Sequence, residues 1–233
     1  MTEAGALPLY VQIAELLIRE IQSGRLSDGA RLPPERQMAA DLAISVGTLR
    51  KALADLEGRG LLERRQGSGN YVCRPDSAAG VYAFFRLELT QGGGLPTAEV
   101  LSVGRHDKPD DFPAFGQSGQ GHRIRRLRRL SGAPVALEEI WLDGAEADSL
   151  NADDLSESLY LFYKTQLGLW ISRVEDRIGV GHVPPWSVDS FDPASGDVCG
   201  YIERLSWAGD GRAVEYSRTW FDSDRARYAS RLG

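Results

Sequence analysis

The chain has 233 residues, of which 42% are hydrophobic and 26% charged. This is a globular mixture, long enough for one large domain or two small ones and unlike a disordered or collagen-like chain. No apolar run approaches the roughly 18 residues that span a membrane, and residues 1–5 lack the basic-then-apolar order of a secretory signal. The two cysteines, Cys73 and Cys199, are far apart and in no metal-ligand spacing, so a reduced, cytoplasmic protein is expected. The formal charge of −6 is unevenly spread: residues 1–75 carry +1 and residues 76–233 carry −7. A nucleic-acid surface needs only a local positive face, which the N-terminal third permits.

The first element follows Pro8. Tyr10, Ile13, Leu17 and Ile21 recur at three- and four-residue steps, which predicts an amphipathic helix ending near Gly24. Pro34 suits the first turn of a short second helix, with Met38, Ala39 and Leu42 on its inner face. A break near Ala43 leads to Ser45, a capping residue for a third helix with a Leu49, Leu53, Leu56 stripe. Two short extended runs, 61–64 and 70–73, flank Gln66-Gly67-Ser68-Gly69, which predicts a hairpin. Three helices and a hairpin make a winged helix-turn-helix, whose third helix enters the DNA major groove.

A short polar stretch, 76–80, reads as a linker between a DNA-binding domain at 1–75 and a second domain at 81–233. Strands are predicted at 81–87, 100–103, 122–130, 135–142, 170–174, 201–207 and 214–221, with a short helix at 158–163. Hairpin turns at 131–134 and 208–212 join neighbouring strands. The fold class is therefore two domains, a winged helix-turn-helix followed by an α+β domain with a mostly antiparallel sheet.

Several segments together resemble one family. Pro8-Leu9-Tyr10, Leu32-Pro33-Pro34-Glu35-Arg36, Thr48-Leu49-Arg50-Lys51-Ala52-Leu53 and the wing run Arg65 to Val72 resemble GntR-type regulators over residues 8–73. Arg126-Leu127-Arg128, the Pro134 to Glu138 segment, Tyr160 and the run from Gly211 to Arg218 resemble the UTRA ligand-sensing domain of the HutC subfamily. The resemblance implies a dimeric bacterial transcription factor, commonly a repressor. Such a protein binds an inverted-repeat operator and alters its DNA affinity when a small metabolite occupies the second domain. The chain departs from the family pattern at Pro34, where serine is usual, at Val46, where arginine is usual, and at Ser68, where the wing commonly carries a basic residue.

Arg36 and Arg50 carry planar forks suited to phosphate or guanine. Ser45 and Thr48 can cap the third helix, donate to phosphate, or do both. Val46 can meet a thymine methyl. Arg65 and Gln66, with Gly67 and Gly69 allowing close approach, are candidate backbone contacts of the wing; the glycines alternatively serve only the turn. On the second domain, Arg126 and Arg128 are two apart on a strand and so share a face, where a pair of guanidiniums can hold a carboxylate or phosphate. Glu138, Glu215 and Arg218 complete the candidate effector set, with Tyr228, Tyr163 and Tyr216 as weaker aromatic candidates because aromatic residues at strand spacing are usually core. A salt-bridged sheet face is the alternative for the charged members.

His106, His122 and His182 have no metal-ligand spacing, and no nucleophile elbow, dinucleotide or Walker-type loop is present. Neither enzymatic activity nor a metal or cofactor is expected. Two rivals to the regulator stay open: a small-molecule-binding protein or enzyme with a relic DNA-binding domain, and a non-specific DNA binder.

Overall fold

The structure is a computed structural model, and it describes residues 8–22, 24–73, 85–155 and 158–230. The chain forms two compact units, which divide near residues 87 and 88. The expected linker, 76–80, lies outside the described residues.

The first unit carries α1 (Leu9–Gln22), α2 (Glu35–Asp41), α3 (Val46–Gly58) and the hairpin β1 (Leu62–Arg65) with β2 (Gly69–Val72). Helix α3 packs against α1, α2 and β1. Its stripe of Leu49, Leu53 and Leu56 is buried, as are Ile13, Leu17 and Ile21 of α1, whereas Tyr10 is exposed. Each such aliphatic side chain contributes about 1.5–3 kcal/mol when fully buried. Gly24 (φ 74°) and Gly60 (φ 71°) adopt the left-handed conformation that ends α1 and α3. Ala43 (φ 53°) turns the chain between α2 and α3 without the help of a glycine. The wing is broader than a hairpin. Leu32 N donates to Asn70 O, and Arg31 forms a bridge with Tyr71, so residues 29–32 run beside β2.

The second unit is built on a six-stranded antiparallel sheet in the order β4-β5-β6-β9-β8-β7. The strands are β4 (Pro96–Asp107), β5 (Gln120–Leu130), β6 (Ala133–Asp143), β7 (Ile171–His182), β8 (Val198–Ala208) and β9 (Ala213–Phe221). Helix α4 (Leu159–Gln166) precedes β7. The short strands β3 (Leu87–Leu89) and β10 (Ala226–Tyr228) pair separately. The expected strand at 81–87 falls mainly outside the described residues, and the observed strand begins only at Leu87. Strands β4 and β7 are far longer than their predicted cores at 100–103 and 170–174.

Leu127 and Leu137 pack with Val183, Phe191, Cys199 and Trp220 in a cluster on one face of the sheet. Gly200 on β8 opposes Phe221 on β9, and a β-carbon at 200 would fall inside the Phe221 ring. Gly200→Ala is therefore expected to destabilise the sheet unit by about 1–3 kcal/mol. Chemical denaturation followed by tryptophan fluorescence checks this, and an unchanged midpoint would refute it.

Candidate functional site

In the first unit, the wing and the start of α2 enclose a cleft of about 450 Å³. Arg36, Arg65, Gln66, Gly67 and Gly69, all expected from the sequence, line it together with Arg31. Gly67 (φ 73°) and Gly69 (φ 119°) shape the wing tip, and a β-carbon at 69 would press on the Arg31 guanidinium at 3.3 Å. Arg31 carries no such signal in the sequence, since it precedes the wing by more than thirty residues and only the Arg31–Tyr71 bridge brings it there.

Ser45 caps α3 as expected: its Oγ accepts from the Thr48 amide at 3.0 Å and lies 2.8 Å from the Thr48 hydroxyl. Val46 is half-buried on the first turn. Arg50 is 64% exposed along its side chain, and its Nε donates to Glu35 Oε2 at 2.7 Å. The other oxygen of Glu35 lies 3.9 Å from Arg64 Nη2. The Arg50 hydrogen bond, aided by the charges of Arg50 and Arg64, outweighs desolvation and holds the Glu35 carboxyl below its ordinary range. Glu35 thus joins α3 to the wing. Arg65 donates twice to Glu63 Oε2, at 3.1 and 2.8 Å, and lies over the Tyr71 ring. Arg31 and Arg36 have no ion pair among the described residues, so they can meet phosphate without breaking one.

In the second unit, the sheet has two chemically distinct faces. Arg126 pairs in register with Glu138, and Glu138 with Thr219. Arg126 Nε and Nη2 donate to Glu138 Oε2 at 3.0 and 2.6 Å, and Arg128 Nε donates to the same oxygen at 3.1 Å. All three side chains are buried. Desolvation alone would raise the Glu138 pKa, but the Arg126 and Arg128 charges win and pull it down to about 2.

Glu215 lies on the same face. Its Oε1 accepts from Tyr160 at 2.9 Å and Ser206 at 2.8 Å, and its Oε2 accepts from Tyr163 at 2.8 Å. Burial pushes this carboxyl above its ordinary range despite those three donors. Arg204 forms a two-pronged pair with Asp176 at 2.6 and 2.7 Å on the neighbouring strands. The buried hydroxyl of Ser206 and the Arg204–Asp176 pair carried no signal in the sequence, because strand order alone brings them beside Glu215.

Two expected members stand elsewhere. Arg218 is three residues from Glu215 on β9 and so projects to the opposite face, where its Nη2 donates to Glu139 Oε1 at 2.6 Å. Grouping it with Arg126 and Arg128 is corrected by this alternation. Tyr228, on β10, groups with the first unit and is not among the residues gathered by the six-stranded sheet. Tyr216 faces away from Glu215 and donates to Glu203 Oε1 at 2.6 Å.

Comparison with known proteins fits both halves. Residues 9–72 match the model of bacterial regulatory proteins of the gntR family, and residues 91–227 match the UTRA domain. The chain belongs to the GntR family. Within it, the pairing with a UTRA domain is HutC-like. The chain is 60% identical to the HTH-type transcriptional regulator SmoD of Agrobacterium fabrum, over 98% of this chain and 97% of that protein. It is 24% identical to a histidine utilization repressor of Pseudomonas aeruginosa, over 97% of this chain and 91% of that protein. The crystal structure of the possible regulator YydK from Bacillus subtilis matches the fold with a TM-score of 0.53 at 20% identity, covering 97% of this chain and 100% of that one. This GntR-family chain is thus a transcriptional regulator and not an enzyme, with a DNA-binding domain and a domain that binds small-molecule effectors. No helix among the described residues is long and apolar enough to cross a membrane.

Proposed function

We propose that this regulator is a homodimeric, cytoplasmic repressor that binds an inverted-repeat operator and releases it when a small anionic metabolite occupies the UTRA domain. The observation that carries the anionic assignment is the convergence of Arg126 and Arg128 on one oxygen of Glu138. Two fixed guanidiniums on one sheet face form an anion-selecting field, and an entering oxyanion can take over hydrogen bonds that Glu138 now accepts. Tyr160, Tyr163 and Glu215 supply acceptors and donors for the hydroxyls of such a molecule. Dimerisation is supported by the edge strand β7, where Ile178 and Val180 are 55% and 74% exposed, with Val198 of β8 beside them at 67%. An exposed edge strand carrying such apolar side chains is a template for pairing with a second copy. Repression is supported by the relatives that carry that name.

At the DNA, α3 presents Ser45, Val46, Thr48 and Arg50 to the major groove, while Arg36, Arg65, Gln66 and the Gly67 and Gly69 backbone meet phosphates. The effector acts by binding one dimer arrangement better than another. The test is fluorescence anisotropy on the chain's own upstream DNA against scrambled DNA, at two salt concentrations, with a panel of small carboxylates and phosphates. Sequence-dependent binding released by one compound is expected. Arg50→Ala should weaken operator binding by about 1–3 kcal/mol. Arg128→Ala should blunt release while leaving DNA affinity intact. Uniform, strongly salt-dependent binding that no compound alters would instead make the chain a non-specific binder.

A further inference from the structure

The sheet face opposite Arg126 carries a second set of guanidiniums that the proposed effector site does not use. Arg125 pairs with Glu139, and Glu139 with Arg218, in one row across β5, β6 and β9. Arg125 reaches Glu139 Oε2 at 2.7–2.8 Å while Arg218 holds Oε1, so both oxygens of this nearly solvent-free carboxylate are occupied. The nearby Glu203 directs Oε1 to two phenols, Tyr216 at 2.6 Å and Tyr201 at 3.4 Å.

Arg123, two residues before Arg125 and therefore on the same face, makes no side-chain ion pair or hydrogen bond among the described residues, and feels the Glu139 carboxylate only through its charge. Its Nε is shielded from solvent and unpaired, and so is Nε of Arg218. The Trp141 ring lies 5.9 Å from the Arg123 guanidinium carbon, near the outer limit of a cation–π contact. Arg125 and Arg218 thus share Glu139, while Arg123 makes no ion pair of its own among the described residues. Burial and the Arg125 charge both hold the Arg123 pKa below its ordinary range, and the neighbouring His106 is also lowered, by burial and by the charges of Arg123 and Arg125.

Aromatic side chains surround the row. Trp186 stacks on Arg125 at 4.7 Å, and Phe112 lies 4.8 Å from Arg218 and edge-on to Trp141 at 5.4 Å. A shielded, unpaired donor is unusual in a native protein and calls for a partner, commonly an ion or water. Aromatic walls raise the value of that partner by lowering the local dielectric.

From this cluster we infer that Arg123 is the principal ligand of a second oxyanion site, on the sheet face opposite Arg126 and Arg128, which takes a compact phosphate or carboxylate. Arg125 and the free Nε of Arg218 add to its field, and Trp141 borders it. The site is separate from the proposed effector pocket and does not depend on that reading.

The test uses the full chain titrated with inorganic phosphate and, separately, with acetate, each against chloride at matched ionic strength. Thermal midpoint and tryptophan fluorescence are followed. A saturable change beyond chloride is expected with at least one anion, and which one responds identifies the chemistry. Arg123→Gln should weaken that response about tenfold or more, the scale of one lost charge-assisted contact. Arg123→Lys, which keeps the charge without the fork, should fall between. Arg128→Gln removes any share of the response that belongs to the proposed effector pocket, and the share that depends on Arg123 should remain in it. In that Arg128→Gln background, a saturable response that survives Arg123→Gln, or no response beyond chloride, would overturn the proposal. Operator affinity of Arg123→Gln without added anion, equal to that of the unchanged chain, verifies that the variant is folded.

Discussion

Glu138→Gln is expected to destabilise the sheet unit by about 3–5 kcal/mol, because it leaves Arg126 and Arg128 buried with their shared carboxylate removed. For a chain of this size that corresponds to a fall of roughly 10 °C in thermal midpoint. The same pair gives an acid limb to the stability curve. The Glu138 pKa falls from its ordinary 4.5 to about 2 on folding. A depressed carboxyl adds stability that is fully present above about 4.5 and is lost as pH drops towards about 2, a loss of roughly 3 kcal/mol. Glu215 acts with the opposite sign. Its pKa is raised by burial, so its contribution favours the folded state at low pH and fades as pH rises through its folded value. The difference between the unchanged chain and Glu138→Gln should therefore shrink between pH 4.5 and pH 2. Calorimetry across that range checks it, and a difference that stays constant with pH would show that Glu138 is not the group responsible.

Removing Glu138 should also free the two guanidiniums to take a stronger hold of an anion. Stability and ligand response are expected to move in opposite directions in this variant. A purely structural ion pair would change only the first of them.

The reading head was legible because its signals are local. Ser45 before a Leu49, Leu53, Leu56 stripe marks the start and the buried side of α3 within a dozen residues. Gly67 and Gly69 likewise mark the wing turn within four. The sheet was legible in its centre and not at its ends. Strands β5 and β6 are mostly buried, and their apolar and paired residues announce them. The edge strand β7 continues through Glu175, Asp176 and Arg177 to Gly179, Val180 and Gly181, where exposure on both faces erases any alternation. In β4, Gly104 and His106 interrupt the pattern in the same way.

The candidate effector cluster divides along the same line. Arg126 and Arg128 lie on one strand, so two-residue spacing alone put them on one face. Glu215 joins them only because β6 pairs with β9, some eighty residues later, and β9 pairs with β8 to bring Ser206. Such pairing is non-local and leaves no trace in the spacing of residues. Arg218 is the contrary case, because its odd separation from Glu215 already forbade a shared face on a regular strand.

Glu35→Gln is expected to raise affinity for scrambled DNA while cutting discrimination in favour of the operator by about tenfold, the scale of one misplaced bidentate base contact. In the unbound chain Glu35 holds Arg50 by a 2.7 Å hydrogen bond and lies 3.9 Å from Arg64. On the proposed reading Arg50 exchanges this carboxylate for DNA, and until then the hydrogen bond fixes where its fork points from α3. Without the negative charge Arg50 becomes available to phosphate, and the salt dependence of non-specific binding should steepen by nearly one unit. The orientation of Arg50 is lost at the same time, so the gain is shared by every sequence. Glu35→Asp keeps the charge but shortens the reach, and should recover the salt slope more fully than the discrimination. Anisotropy on operator and scrambled duplexes over a range of salt concentrations separates the two effects. If Glu35→Gln weakened binding to both duplexes equally with no change in slope, Glu35 would be a fold element of α2 and not the residue that aims Arg50.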